Sequence, residues 1–482
     1  MSKVYTVPIL SRGRVILPTE DDFLEFGGRT GARFRTPDPH KHVHDLVLGD
    51  AGRLIDLHNL PMSEILDFLA ALGPRLRLSE NPYLQDAYDL AIEAGGLTKP
   101  LMSTLYDRLP DMFDRATMEA RVDRAIGLPY LDGWVPQADS GPGAEVRVRA
   151  VGCRHLHIIA GNVPITAPGT VLSSALSKGD CLIKAPSNDP LTANAVVRTM
   201  IDLNPDHPVT KHLAVAYWKG GDAFMDSEII RTSRIDKITA WGGMASVQHI
   251  QKYLVPGIEL LSMNPKYSFS IVGKEVFESD AAMREAATGV AIQAGKFNQS
   301  ACASTRLVYV ESDTDDDSIE KLIAFGELVY AAFQTLPDYF STPADAPNPS
   351  LEAEMRAIES EDDFYLVKGD TIDGGVIVSK FEGKVDFSNE LSNRVVNIVP
   401  VENWSEVLGS VDDTSQTIPI FPVSLRVRLR EELAIRGAQR MLPLTSNLLD
   451  PVEAGAVPAL PHDGNETLRR QVRWMIDQGP LA

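Results

Sequence analysis

Between Arg154 and Leu254 the chain alternates, four times over, a short apolar run with an amphipathic stretch: HLHIIAG then PGTVLSSALSKGD, CLIKAP then PLTANAVVRTMIDL, LAVAYWKGG then DAFMDSEIIRTS, DKITAW then GMASVQHIQKYL. Short strands alternating with helix-period segments predict a parallel sheet with crossover helices. A sheet of that kind takes its ligands at the carboxyl ends of its strands. The residues that follow each strand are therefore the first place to look for chemistry.

A second α/β region starts near Asn264. It reads as the strand YSFSIVG, the helix DAAMREAATGVAIQAG, a turn carrying Cys302, the strand RLVYVES and the helix SIEKLIAFGELVYAAFQTL. STPADAPNPSLEAE reads as a surface loop, and VVNIVPVENWSEVL returns a strand and a helix. From about Asp413 the pattern changes again, through QTIPIFPV and SLRVRLREELAIRGAQRMLPL to the tail PHDGNETLRRQVRWM. Before the alternation, VYTVPILSRGRVILP reads as a hairpin around Ser11–Gly13, followed by helix-period segments up to about residue 130. The acidic runs ESDTDDDS and ESEDDF read as solvated loops.

Composition excludes several classes. A chain of 482 residues has room for two or three domains. Its formal net charge of −20 argues against binding nucleic acid or anionic lipid surfaces. The three cysteines, at 153, 181 and 302, form no disulfide framework and point to a reduced, cytoplasmic setting. No apolar run approaches ~18 residues, so no membrane span is expected, and the N-terminal stretch lacks the pattern of a signal peptide.

Four short segments carry candidate chemistry. In GKFNQSACASTR, Cys302 falls on a loop between a helix and a strand; a loop thiol beside backbone amides suits a nucleophile, while a buried structural cysteine is the plainer reading. In AGNVPITAPGT, Asn162 follows a strand, where its amide can donate to an oxyanion or cap a turn ahead of Pro164. In LIKAPSNDP, Lys184 ends a strand with Ser187 and Asn188 after it, a set suited to a ribose or phosphate, or a surface lysine. In ITAWGGMAS, Trp241, Gly242 and Gly243 lead from a strand into a helix whose N-terminus favours an anion such as pyrophosphate, although no G-x-G-x-x-G fingerprint is present.

Taken in order, these segments resemble the aldehyde dehydrogenase superfamily. GNVP is similar to its Asn-x-Pro oxyanion segment, IKAPS to its Lys-Pro-Ser nucleotide segment, AWGG to its Thr-Gly-Ser turn and FNQSACASTR to its nucleophile loop. RVVNIVPVENW, RGAQRMLPL and PHDGNETLRRQVRWM narrow the resemblance to acyl-CoA reductases of the LuxC type, from about residue 150 onward. It implies an aldehyde-dehydrogenase-like α/β fold, with a Rossmann-type nucleotide-binding domain and an α/β catalytic domain. The boundaries read as an N-terminal mixed segment over 1–130 that packs on the nucleotide-binding domain, the nucleotide-binding domain over 131–262, the cysteine domain over 263–412, and a return over 413–482.

The implied activity is NADPH-dependent reduction of an acyl-CoA or other acyl thioester to an aldehyde, with NADH as the alternative cofactor. Cys302 would attack the thioester, Asn162 and the Cys302 amide would hold the oxyanion, and an acyl-cysteine would remain. Lys184 would contact the adenosine ribose or its 2′-phosphate, and Trp241, Gly242 and Gly243 would line the pyrophosphate. The resemblance further implies a homo-oligomer and an acyl-transferring partner enzyme. Two rivals stand beside this reading: an aldehyde dehydrogenase that makes acid or acyl-CoA, and a non-catalytic nucleotide-binding subunit of an acyl-transfer complex.

The chain departs from the superfamily pattern in three places. LSMNPKYSFSIVG puts Ser262 where hydrolytic members keep a glutamate base. The stretch from Cys302 to Arg306 is one residue short. The glutamate that grips the nicotinamide ribose has no clear equivalent, Asn393–Arg394 falling near its place. Elsewhere, His40, His42 and His44 would share one face if extended, either as metal ligands or as a polar strand or loop. Taking the latter, no metal is expected. His462–Asp463 reads as a turn, and Cys153 and Cys181 as inert core.

Overall fold

The computed structural model describes residues 3–27, 32–138, 145–263, 265–446, 449, 461–462 and 464–480. They fall into two compact units. The first is assembled from Met1–Gly96, Met102–Asn264 and Pro458–Ala482; the second comprises Leu97–Leu101 and Pro265–Val457.

The strand–helix alternation becomes the main sheet of the first unit. Its order is Glu259–Met263, Lys237–Trp241, Arg154–Ile158, Asp180–Lys184, Leu213–Ala216, Ile9–Ser11 and Arg14–Ile16. The first five are parallel; Ile9–Ser11 joins antiparallel and turns back through Gly13 into Arg14–Ile16. Helices Thr166–Leu176 and Thr192–Leu203 make crossovers on this sheet. Nine of the eleven residues in Thr166–Leu176 are buried, which is why its sequence lacks a clear polar stripe. The apolar core gathers Leu156, Leu182, Ala214, Trp218, Ile229 and Ile238. At the amino end of its strand, buried Arg154 meets Asp236 through two bonds of 3.0 and 3.1 Å.

A three-stranded sheet in the same unit pairs Arg473–Gln478 with Val146–Val151, antiparallel, with Val135–Pro136 on the other side. The tail thus returns to the first unit.

The second unit is built on a sheet ordered Tyr365–Asp370, Gly374–Ser379, Val395–Val401, Thr305–Glu311, Ser268–Val272, Thr417–Phe421 and Arg440–Pro443. All neighbours are parallel except the first pair. One face buries Phe269, Ile271, Ile377 and Leu433; the other buries Val290, Phe325, Val329 and Ile398 under the helices Asp280–Gly295 and Asp316–Phe333.

Two expectations are corrected here. The return to the first domain lies well beyond 413, because IPIF pairs in parallel with Ser268–Val272 and RMLP pairs in parallel with IPIF at the edge of the second sheet. The region 1–130 gives up Leu97–Leu101 to the second unit, where Thr98 and Thr342 share a hydroxyl hydrogen bond. The histidine stretch is also not extended. Pro39–His42 is a 3-10 turn and Val43–Leu46 a helix; His40 meets Asp222 at 2.7 Å, and His42 meets Asp22 at 3.0 Å and Asp45 at 3.3 Å. Among the described residues, no three or more His, Cys, Asp or Glu side chains are placed to hold a metal, and no helix is long and apolar enough to cross a membrane.

Candidate active site

In the first unit the chain steps outward from Arg154–Ile158 in both directions. Ile158 sits in register with Lys184 on one side, and with Ala240 on the other. This is a topological switch point, the place where open α/β sheets hold ligands. The segments after the three strands therefore emerge side by side at one edge.

Two of these segments are tied together. Asn188 Nδ2 donates to the Gly161 carbonyl at 2.8 Å. A Cβ on Gly161 would lie 2.2 Å from Asn188 Oδ1, so a side chain there would force the two turns apart. Asn162 comes next and is exposed. It is not the cap of the helix that follows: that position is Ile165, which makes no side-chain cap bond.

Lys184 is half-buried, its Nζ 5.3 Å from the centre of the Trp218 ring. Burial lowers its pKa from the ordinary value, with Asp226 and Asp222 acting in the opposite sense. Ser187 is exposed. Trp241 ends its strand with its ring 5.1 Å from that of His462. Gly243 caps the helix Met244–Gln251 with an ordinary φ of −66°, so backbone freedom is not why a glycine stands there. A Cβ on it would meet nothing within 4 Å, whereas one on Gly242 would press on Ser246 at 3.2 Å. The helix thus begins at an open ledge.

The sequence reading passed over the group beneath this edge. Buried Asp226 accepts from Trp218 Nε1 at 3.1 Å and pairs with His249 at 2.8 Å, so one carboxylate orients the ring under Lys184 and anchors the helix that starts at Gly243. Only the spacing of an aspartate inside an otherwise apolar helix face hinted at it.

Cys302 belongs to the second unit. It stands at the amino edge of that sheet, just before Thr305–Glu311. Phe297, Asn298 and Gln299, immediately upstream, hold φ of 50°, 50° and 65°. Three consecutive non-glycine residues in the left-handed region persist only where their surroundings fix them. Buried Asn298 accepts from the Thr342 amide at 2.9 Å and the Ser341 hydroxyl at 3.1 Å. Buried Gln299 donates to the carbonyls of Thr305 at 2.7 Å and Val395 at 2.8 Å, and accepts from the Val395 amide at 3.1 Å.

Downstream, Ser268 Oγ donates to the Cys302 carbonyl at 2.8 Å and accepts from the Thr417 amide at 3.1 Å. Gln416 Nε2 lies 3.0 Å from Cys302 Sγ. The cations Lys296 and Arg306 both interact with Cys302; burial lowers each from its ordinary pKa, and Cys302 opposes that shift. Cys302 is half-buried, while Cys153 and Cys181 are fully buried and burial pushes both thiols up. Substrate access, charge and backbone strain coincide at one cysteine of the three.

The remaining singled-out positions fall as follows. Ser262 lies on the edge strand Glu259–Met263 of the first unit, in register with Ala240. Asn393 and Arg394 are left-handed at φ 56° and 64°; Asn393 donates to the Thr371 carbonyl, and buried Arg394 to that of Asp373. Their side chains serve the backbone, which fits their failure to match a ribose-binding glutamate. His462 lies by Trp241, while Asp463 is outside the described residues.

The family described as acyl-CoA reductase (LuxC) matches residues 57–474. The long-chain acyl-protein thioester reductase of Photorhabdus luminescens is 28% identical over 98% of this chain and 93% of its own. Long-chain acyl-protein thioester reductase 2 of Photobacterium leiognathi is 30% identical over 73% of this chain and 68% of its own. Among solved structures, an oxidoreductase of Marinobacter aquaeolei superimposes with a TM-score of 0.73 at 13% identity, covering 98% of both chains. The NADP-dependent glyceraldehyde-3-phosphate dehydrogenase of Bacillus halodurans C-125, complexed with NADP, gives 0.72 at 14% identity, over 99% of this chain and all of its own. At such identities the structures establish the fold, that of the aldehyde dehydrogenases.

Proposed function

The chain belongs to the acyl-CoA reductase (LuxC) family, an oxidoreductase family, and on that footing we propose that it reduces an acyl thioester to an aldehyde through an acyl-cysteine on Cys302. The observation that carries the reading is the Cys302 loop itself: a strained, fully braced turn that presents the one incompletely buried thiol between two cations. Such surroundings favour the thiolate, the form that attacks a carbonyl.

In this mechanism Cys302 Sγ adds to the thioester carbonyl, and Asn162 with the Cys302 amide donates to the developing oxyanion. The C–S bond to the donor breaks, and the donor thiolate leaves. A reduced nicotinamide, NADPH in our reading, would supply a hydride to the acyl carbon when bound; the C–S bond to Cys302 then breaks, and aldehyde and the Cys302 thiolate are released. The first unit's residues suit a nucleotide. Gly243 leaves open space at a helix N-terminus, and Lys184 brings a cation to the carboxyl edge at the switch point. Lys184 and Ser187 would hold the adenosine ribose or its 2′-phosphate, and Trp241, Gly242 and Gly243 the pyrophosphate. Ser262 cannot act as a general base at neutral pH, so the acyl-enzyme should persist against water.

The donor class divides in two. The family description favours acyl-CoA, whereas the relatives' names favour a long-chain acyl group carried on a protein. We place the enzyme beside an acyl-transferring partner in the cytoplasm, working as a homo-oligomer. The deciding experiment offers purified protein acyl-CoAs of graded length and an acylated carrier protein, with NADPH or NADH, followed at the nicotinamide absorbance. Aldehyde formation with an acyl mass on Cys302 is expected. Rapid conversion of aldehyde to free acid without CoA would instead make it a hydrolytic dehydrogenase.

A further inference from the structure

We infer that Gln416 is a catalytic residue of this enzyme: its side-chain amide donates to Cys302 Sγ and holds that sulfur as a thiolate in one rotamer. The inference concerns a residue 114 positions away in sequence that no motif marks, and it rests on Cys302 being the nucleophile.

Three observations carry it. The first is placement. Gln416 directly precedes the strand Thr417–Phe421, and its backbone is held on both sides, its amide by the Tyr267 carbonyl at 2.9 Å and its carbonyl by the Arg440 amide at 2.8 Å. Its neighbour Thr417 is joined through Ser268 Oγ to the Cys302 carbonyl. The nucleophile loop and the segment carrying Gln416 are thus fixed to the same serine, and the 3.0 Å contact from Nε2 to Sγ is made between two backbones held in place.

The second is burial. Gln416 is only 6% exposed. A buried amide needs good acceptors, and a neutral thiol sulfur is a poor one. A thiolate turns the same contact into a charge-assisted hydrogen bond. Burying this N–H against Sγ is favourable chiefly when the sulfur is ionised.

The third is the sign of the surroundings. Lys296, from the turn after Asp280–Gly295, and Arg306, from Thr305–Glu311, both act on Cys302; Arg440, from Arg440–Pro443, acts in turn on Lys296. All are cations. They supply net charge to the site, and Gln416 supplies direction, a donor aimed at the sulfur itself.

The test is the pH dependence of Cys302 alkylation by iodoacetamide in the full-length protein, with Cys302→Ser as the blank. Wild type should titrate below the ordinary thiol value of about 8.5. Gln416→Met, which keeps the shape and removes the donor, should raise the midpoint by about one unit, as expected for loss of a hydrogen bond to a charged group. Gln416→Glu, which puts an acceptor against the sulfur, should raise it further. Cys153 and Cys181 are buried, so their modification reports loss of fold separately. An ordinary or raised midpoint in wild type would overturn the proposal, as would a folded Gln416→Glu with an unchanged profile. Both are distinct from failure of the nucleophile assignment, in which Cys302→Ala keeps full reductase activity whatever the thiol titration shows.

Discussion

The Cys302 loop of the second unit and the carboxyl edge of the first unit's sheet are built in opposite ways. Around Cys302 the backbone is held from several sides: Asn298, Gln299 and Ser268 together accept or donate eight hydrogen bonds that bind the loop to three strands and to the segment at Ser341–Thr342. At the first unit's edge, Ser187 and Gly243 face outward, and the ordering groups, Asp226, Trp218 and Asn188, sit beneath or between the turns. The difference is the one the proposed function calls for. A covalent step needs one atom held within a fraction of an ångström, so its loop is over-determined. A cofactor that enters and leaves needs room, so its edge is supported from below and left open.

That contrast can be broken first at its centre. Cys302→Ala should lower thioester reduction by on the order of 10⁴-fold or more, with nucleotide affinity unchanged by fluorescence titration. Acyl-CoA alone should add an acyl mass to wild type and none to the variant; a mass on Cys153 or Cys181 would relocate the chemistry.

Asn162→Ala should slow acylation by ~10²–10³-fold in single-turnover kinetics. A rate within about threefold of wild type, ~0.65 kcal/mol on the transition-state scale, would return Asn162 to a turn residue.

Gln299→Ala sharpens the braced side. It strands the Val395 amide and two carbonyls, for a loss of about 2–4 kcal/mol, read as a lower denaturant midpoint together with reduced turnover. Unchanged stability would mean that the left-handed run supports itself.

On the open side, Lys184→Ala should weaken NADPH several-fold more than NADH, because a lysine acts on a 2′-phosphate as a point charge. Equal weakening would move it to the shared ribose. The smallest effect is expected from Gly243→Ala: its Cβ enters empty space at an ordinary φ, so stability should stay within about 0.5 kcal/mol, while cofactor KM rises several-fold as the ledge fills. An unaltered KM would place the pyrophosphate elsewhere.

The same contrast decides what could be read in the sequence. The first sheet's strands and crossover helices each sit within a few dozen residues of one another, and their period shows directly in HLHIIAG through HIQKYL. The strands Thr417–Phe421 and Arg440–Pro443 did not show as part of the second sheet, because the first joins it through Ser268–Val272, about 150 residues earlier, and the second joins it only through the first. The site divides likewise. Cys302, Lys184 and Gly243 stand on local motifs, whereas Gln416 and Ser268 meet the loop only through folding, and Asn298 and Gln299 read as ordinary polar loop residues. Their left-handed backbone is imposed by tertiary hydrogen bonds, and no local propensity announces it.

The first unit's three separate stretches carry a consequence for synthesis. Arg473–Gln478 is one flank of the small sheet whose other members are already complete by Val151. On a ribosome, Pro265–Val457 can emerge and close its own seven-stranded sheet first. The Val146–Val151 strand meanwhile waits with an unpaired edge, a template for aggregation. Its charged, alternating VRVRAV, with arginines at 147 and 149, is the kind of edge that survives such a delay. Ribosome profiling and limited proteolysis of stalled nascent chains would follow that interval directly.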